Sequence, residues 1–277
     1  MAKLEPYKHG YYLWQYLPSL AAAVIFAIVF TAATVLHFIR LVKWRARFCV
    51  PFAIGGIFEV IGCAARAWAH FESGSVMPYS IQNVFLLLGP VLFAASVYMV
   101  LGRIIRSTGA EHYSLIPMRW LTKTFVMGDV VSFLVQGGAA GLMASGSNAQ
   151  LGQDIVVAGL LIQVFMFAFF IITAMVFQIR LRRHPTPGAH DARLHWRDHL
   201  YLLYGVSLLI MIRSLFRVAE FTMGNTGYPL THEWTLYIFD ALLMWLAMVA
   251  WLVWYPGRLS KPEMAMELLN QSTFDDN

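Results

Sequence analysis

Apolar residues in this chain come in seven long blocks, and no polar face recurs within them. The blocks run roughly Tyr16–Ile39, Phe48–Trp68, Ser80–Leu101, Thr124–Ala144, Ile155–Ile179, Leu200–Thr222 and Trp234–Trp254. A helix rises about 1.5 Å per residue, so ~20 residues cross the ~30 Å hydrocarbon core of a bilayer. A soluble helix repeats polar positions along one side, whereas Val156-Val157-Ala158-Gly159-Leu160-Leu161-Ile162 is apolar all round. The pattern predicts an all-α polytopic membrane protein with seven transmembrane helices. It divides into an N-terminal segment 1–15, a helical domain 16–258 and a tail 259–277.

Composition agrees: the 277 residues are 59% hydrophobic and 13% charged, where a soluble domain carries about a quarter charged residues. The net charge of +5 does not mark a nucleic-acid surface, because the basic residues sit at the ends of the apolar blocks. Arg40, Lys43, Arg45 and Arg47 follow the first block, and Arg103, Arg106, Arg119 and Lys123 lie between the third and fourth. Arg180, Arg182, Arg183, Arg193 and Arg197 lie between the fifth and sixth, with Arg258 and Lys261 in the tail. The opposite side carries only Lys3 and Lys8. The positive-inside rule therefore places the N-terminus outside and the C-terminus in the cytoplasm, most simply at the plasma membrane. Trp68 and Trp234 are expected at the outer interface, and Trp44, Trp120, Trp196 and Trp254 at the inner one. Cys49 is expected at the cytoplasmic end of the second span, where a thiol reagent reaches it from inside, and Cys63 within the membrane.

Charges at bilayer depth change the picture from architecture to function. Glu59, Arg66, Asp129, Arg213, Arg217, Glu220 and Asp240 all fall inside the blocks. An unpaired charge there costs upward of ~3 kcal/mol, so each must face protein or a wet cavity. Glu59 and Arg66 are seven apart and share a helix face, as do Arg213, Arg217 and Glu220. Asp129, Ser132 and Gln136 form a polar stripe, and Gln82 and Gln163 add uncharged groups. Glu59, Glu220 and Asp240 are the carboxylates available to Arg213 and Arg217, while Lys123 or a loop arginine is the expected partner of Asp129. The expected result is an outward-facing polar chamber joining spans two, three, six and seven. The plainer alternative is a structural network, since polar side chains also fasten helices together at ~0.6 kcal/mol per bond. Gly89-Pro90 should kink the third span and free a carbonyl, and Gly137 with Gly141 should let the fourth pack closely. No histidine cluster has metal-ligand spacing, and no metal or cofactor is expected.

Several blocks occur in an order that resembles the fungal lipid-translocating exporters, the RTA-like seven-helix membrane proteins. They are Glu59-Val60-Ile61-Gly62 with Arg66; Gln82 through Leu88-Gly89-Pro90 to Gly102-Arg103; and Gly128-Asp129 with Gln136-Gly137-Gly138. Gly159-Leu160 with Gln163, Arg213-Ser214-Leu215-Phe216-Arg217-Val218-Ala219-Glu220, Glu233, Tyr237 with Asp240, and Tyr255-Pro256-Gly257-Arg258 complete the series. Cys63 and Tyr255 stand where an aromatic and a histidine are usual. The resemblance implies resistance to toxic amphiphiles, release of sphingoid long-chain bases, or porphyrin handling.

The expected function is a membrane transporter of amphiphilic molecules, whose partners are membrane lipids or lipid-like small molecules. Glu59, Arg66, Gln82, Asp129, Gln136, Gln163, Arg213, Arg217, Glu220 and Asp240 are the candidate site residues. The alternative is a seven-helix receptor or sensor for a lipid or stress signal. An enzyme is not expected, because no nucleophile–base pairing is visible, and no Walker pattern links the chain to ATP. The sequence leaves the oligomeric state open.

Overall fold

The computed structural model describes residue 14 and residues 16–145, 149–186, 188, 196–223 and 227–257, the side chains of 140–145 and 149 excepted. The N-terminal segment with Lys3 and Lys8, the loop residues Arg193, His190 and His195, and the tail with Arg258 and Lys261 lie outside the described residues.

Local signals set the helix ends. Helix α1 (Leu20–Trp44) starts where the Ser19 hydroxyl accepts the Ala22 amide, and stops where Arg45 turns left-handed at φ 48°. Helix α2 (Val50–Ala69) carries Pro51 in its first turn, where the missing N–H is harmless. Then come α3 (Val76–Ser107), α4 (Met118–Ser145), α5 (Ala149–Arg183) and α6 (Trp196–Thr222). A single turn at Tyr228–Thr231 leads into α7 (Glu233–Val253), which widens into a π-helix over Tyr237–Leu242. The described residues form no strand.

Over the described residues, six helices, all except α4, are long and apolar enough to cross a membrane by length and composition. Helix α4 has the length, and the side chains of its last turns, residues 140–145, lie outside those described. It nevertheless runs between the same two ends of the bundle as its neighbours. At one end Arg180 Nη1 donates to Tyr113 O at 3.2 Å, Thr186 Oγ1 to Thr108 O at 2.6 Å, and Arg40 to Leu252 O. At the other, His70 Nδ1 meets Pro18 O at 2.7 Å and Gln153 Nε2 donates to Phe221 O at 2.7 Å. The basic loops gather at the first end.

Large apolar side chains cover the outside, among them Ile25, Ile28 and Val42 on α1 and Leu161 and Phe165 on α5. A bilayer solvates such a surface; water does not. Trp68 and Trp234 are exposed at one end, and Trp120 and Trp254 at the other, as interfacial belts require. Trp196 departs from the expectation. It is buried, with the Arg197 guanidinium 5.4 Å from its ring, because the start of α6 packs into the bundle. Cys49 is buried too, at 2% exposure, so no aqueous thiol reagent reaches it.

The tightest crossing is α2 against α3. A Cβ on Gly55 would lie 2.8 Å from Gly89 O, and one on Gly62 would lie 2.6 Å from Leu86 Cδ2. Phe52 stacks between Phe93 and Trp251, each 4.4 Å away, and so locks α7 onto the same pair. The glycine expected to draw α4 close does not do so: open space surrounds a Cβ at Gly137, and the side chain at Gly141 lies outside the described residues.

Gly55→Ala should therefore lower the thermal unfolding midpoint in detergent, at a cost of about 1–3 kcal/mol for overpacking against a backbone atom. Gly137→Ala should leave it unchanged or raise it.

Candidate functional site

At the rim where α1 and α7 begin, Arg66 gathers nearly every group around it. Its Nε donates to Tyr237 OH at 3.0 Å, and its Nη1 to Gln82 Oε1 at 3.4 Å. Its Nη2 donates to Tyr16 OH at 2.8 Å and to Glu233 Oε1 at 2.9 Å. The rings of Trp14, Tyr16 and Tyr237 lie 5.2–5.6 Å from the guanidinium carbon. Glu233 is the counter-ion, and it also accepts the Ser19 amide at 2.8 and 3.0 Å. One arginine thus joins the segment before α1 to α2, α3 and α7. Glu59 shares its helix face but lies about 10 Å away along the axis, at seven residues' rise.

Deeper in the bundle lie two further pairs, one between α6 and α7 and one within α6. Arg213 Nε is bonded to Asp240 Oδ1, and Arg217 Nη1 donates to Glu220 Oε2 at 2.8 Å. Asp240 Oδ2 stands 4.0 Å from Arg217 Nη1, so the four charges form one chain. Arg213 Nη2 also donates to Leu86 O at 2.6 Å. Leu86 is four residues before Pro90, which has no N–H to return. The carbonyl freed by the Gly89-Pro90 step is the one that Arg213 uses. All four residues are at most 6% exposed. The charges converge on spans two, three, six and seven as expected, but they are packed against one another and closed to solvent.

Glu59 stands apart from these pairs. It is 1% exposed, and neither carboxylate oxygen accepts a hydrogen bond. Gly89 leaves the space it occupies, since a Cβ there would collide with Glu59 Oε1.

The α4–α5 side is a separate system. Tyr98 OH donates to Asp129 Oδ2 at 2.9 Å within a ring of Phe125, Phe167 and Phe170. Lys123, an expected partner of Asp129, instead sits 5.8 Å from the Trp120 ring. Gln136 Nε2 donates to Ser132 Oγ at 2.9 Å and Gln163 Oε1 at 3.4 Å, and Ser132 Oγ to Gly159 O at 2.5 Å. These bonds fasten α4 to α5 and do not reach the arginines. The residues missing from the sequence-based site are Trp14, Tyr16, Glu233 and Tyr237. The i, i+4, i+7 spacing of Glu233, Tyr237 and Asp240 held the signal.

The sequence profile described as "RTA1 like protein" matches residues 52–263, which span all ten candidate residues. The chain belongs to the RTA1-like family. Relatives in Saccharomyces cerevisiae include Protein RTA1, 34% identical over 90% of this chain and 86% of its own. Protoporphyrin uptake protein 1 is 32% identical over 88% and 92%, and the sphingoid long-chain base transporter RSB1 is 25% identical over 87% and 72%. No solved structure matches this RTA1-like chain.

Glu233→Gln leaves Arg66 in the bundle without its counter-ion, so stability should fall by roughly 3 kcal/mol, read as the thermal midpoint in detergent. Arg66→Met combined with Glu233→Gln should recover part of that loss, the mark of direct coupling.

Proposed function

We propose that this chain moves amphiphilic, lipid-like molecules across the membrane, with the charged seam between α2, α3, α6 and α7 as the path of the headgroup. One observation carries the reading: Arg213, Asp240, Arg217 and Glu220 form a continuous buried chain of charge between two helices. Packing alone gives little reason for it. Apolar residues of similar volume replace buried ion pairs at little or no cost, and charges inside spans are functional by default. A headgroup of either sign finds a partner there by displacing one member of a pair, while its tail stays in lipid or against apolar helix faces. The functions named for two relatives, protoporphyrin uptake and sphingoid base transport, support cargo of this chemical kind.

The reading takes all seven helices as crossings of the plasma membrane, with the N-terminus outside and the basic loops in the cytoplasm. The carboxylate and amide groups of α4 are tolerable there because they find partners on α3 and α5.

Asp240→Asn should slow export of a fluorescent sphingoid base from cells by about tenfold or more at equal surface abundance, an effect of over 1.4 kcal/mol on the barrier. Export at the normal rate would overturn the assignment of the seam. Orientation is checked with single cysteines at exposed positions in a background lacking Cys49 and Cys63. A Glu72→Cys chain should react with an impermeant maleimide on intact cells, and a Glu111→Cys chain only after permeabilisation; the reverse pattern would invert the topology.

A further inference from the structure

Glu59 is the ionisable group that the seam does not use. The groups facing it can be named helix by helix. Helix α7 brings Asp240 and α6 brings Arg213, both within electrostatic reach. Its own helix adds Cys63 one turn on, and Arg66 beyond it, which is committed to the rim cluster. Helix α3 presents the backbone of Gly89, and α1 the Thr34 hydroxyl against Gly56. His37, the ionisable group on the inner side of α1, is bound to Met248 O at 3.2 Å and packed on Phe52. Arg213 and Arg217 are already balanced by Asp240 and Glu220. A charge on Glu59 would be the fifth of the group and the uncompensated one, in surroundings where that is the costly state.

Two further details tie Glu59 to the seam. Asp240 Oδ2 is buried and accepts no hydrogen bond, so this carboxylate keeps an oxygen in reserve for an entering cation. Arg213 is anchored on Leu86 O, one turn from the Gly89 backbone that abuts Glu59. A guanidinium pivoting on that carbonyl would exchange Asp240 for Glu59 without leaving α3.

We infer that Glu59 is a proton-exchange site that couples headgroup entry to proton release. The inference rests on the translocation reading above. A cationic headgroup that takes Asp240 frees Arg213 to pair with Glu59. The O–H bond of the Glu59 carboxyl then breaks, its proton passes to solvent, and the new carboxylate holds Arg213. One positive charge enters as one leaves, so the buried sum stays constant. Return of the proton restores the Arg213–Asp240 pair and expels the headgroup. The cycle is an exchange of a cationic amphiphile for a proton, and a pH gradient drives it.

The test uses the full chain in proteoliposomes with a fluorescent long-chain trimethylammonium amphiphile, whose charge does not change with pH. An imposed pH gradient should speed transbilayer movement of the probe severalfold over the rate without a gradient. For Glu59→Gln that ratio should fall to one, whatever the absolute rate. Probe movement that ignores the gradient in the wild type would overturn the proton inference and leave translocation standing. No movement above protein-free vesicles would overturn both. Infrared difference spectra supply a readout that needs no transport: adding the probe to the detergent-solubilised wild type should bleach a protonated carboxyl band. An unchanged band would also overturn the inference, and a bleach that persists in Glu59→Gln would assign the proton to another residue.

Discussion

The pairing of Arg213 with Asp240 is the contact on which the arrangement of the bundle turns. Neither residue is tolerable alone at that depth, so α6 and α7 must meet in one register. Arg213 then needs further acceptors, and Leu86 O supplies one only because Pro90 leaves it unbonded. Helix α3 is thereby fixed against α6 by a defect in its own hydrogen bonding. On its other side α3 approaches α2 closely enough that Gly55 and Gly62 admit no side chain. The central helix is held by backbone contact on one flank and by a buried cation on the other.

Polar groups in the bundle fall into three systems with different physical tasks. In the Arg66 cluster all three guanidinium nitrogens donate, and the cluster acts as a clasp at one rim. The α4–α5 amides and hydroxyls form short local bonds of the kind that fix helix spacing. At the seam, unspent acceptor capacity remains on Asp240 Oδ2 and on both oxygens of the neighbouring Glu59. Unsatisfied buried groups are expensive, and they concentrate where a protein has to change partners.

Much of this was legible in the sequence because two strong signals carry it. Unbroken apolar runs give the helices, and charges within those runs give the seam, since nothing else accounts for Arg213 or Asp240 at such positions. The partner assignments were less legible. Spacing put Glu59 and Arg66 on one face, yet Arg66 pairs with Glu233, which a boundary-based reading discards as a loop residue. Asp129 likewise pairs with Tyr98, an aromatic donor inside an apolar run, rather than with Lys123. Periodicity reports which face a residue occupies and not which neighbouring helix covers that face. Trp196 shows the same limit, because burial at a helix start looks identical in sequence to anchoring at an interface.

The clasp at Arg66 has a consequence for how the chain is made. Glu233 follows Arg66 by 167 residues, and at a synthesis rate of roughly 5–20 residues per second the arginine waits on the order of ten to thirty seconds for its counter-ion. During that interval the nascent chain has Tyr16, already synthesised, and Gln82, 16 residues later, to solvate the guanidinium. Those two neutral groups act as biosynthetic placeholders. They let the early helices lodge in the membrane with a cation aboard until the last one arrives to close the ring.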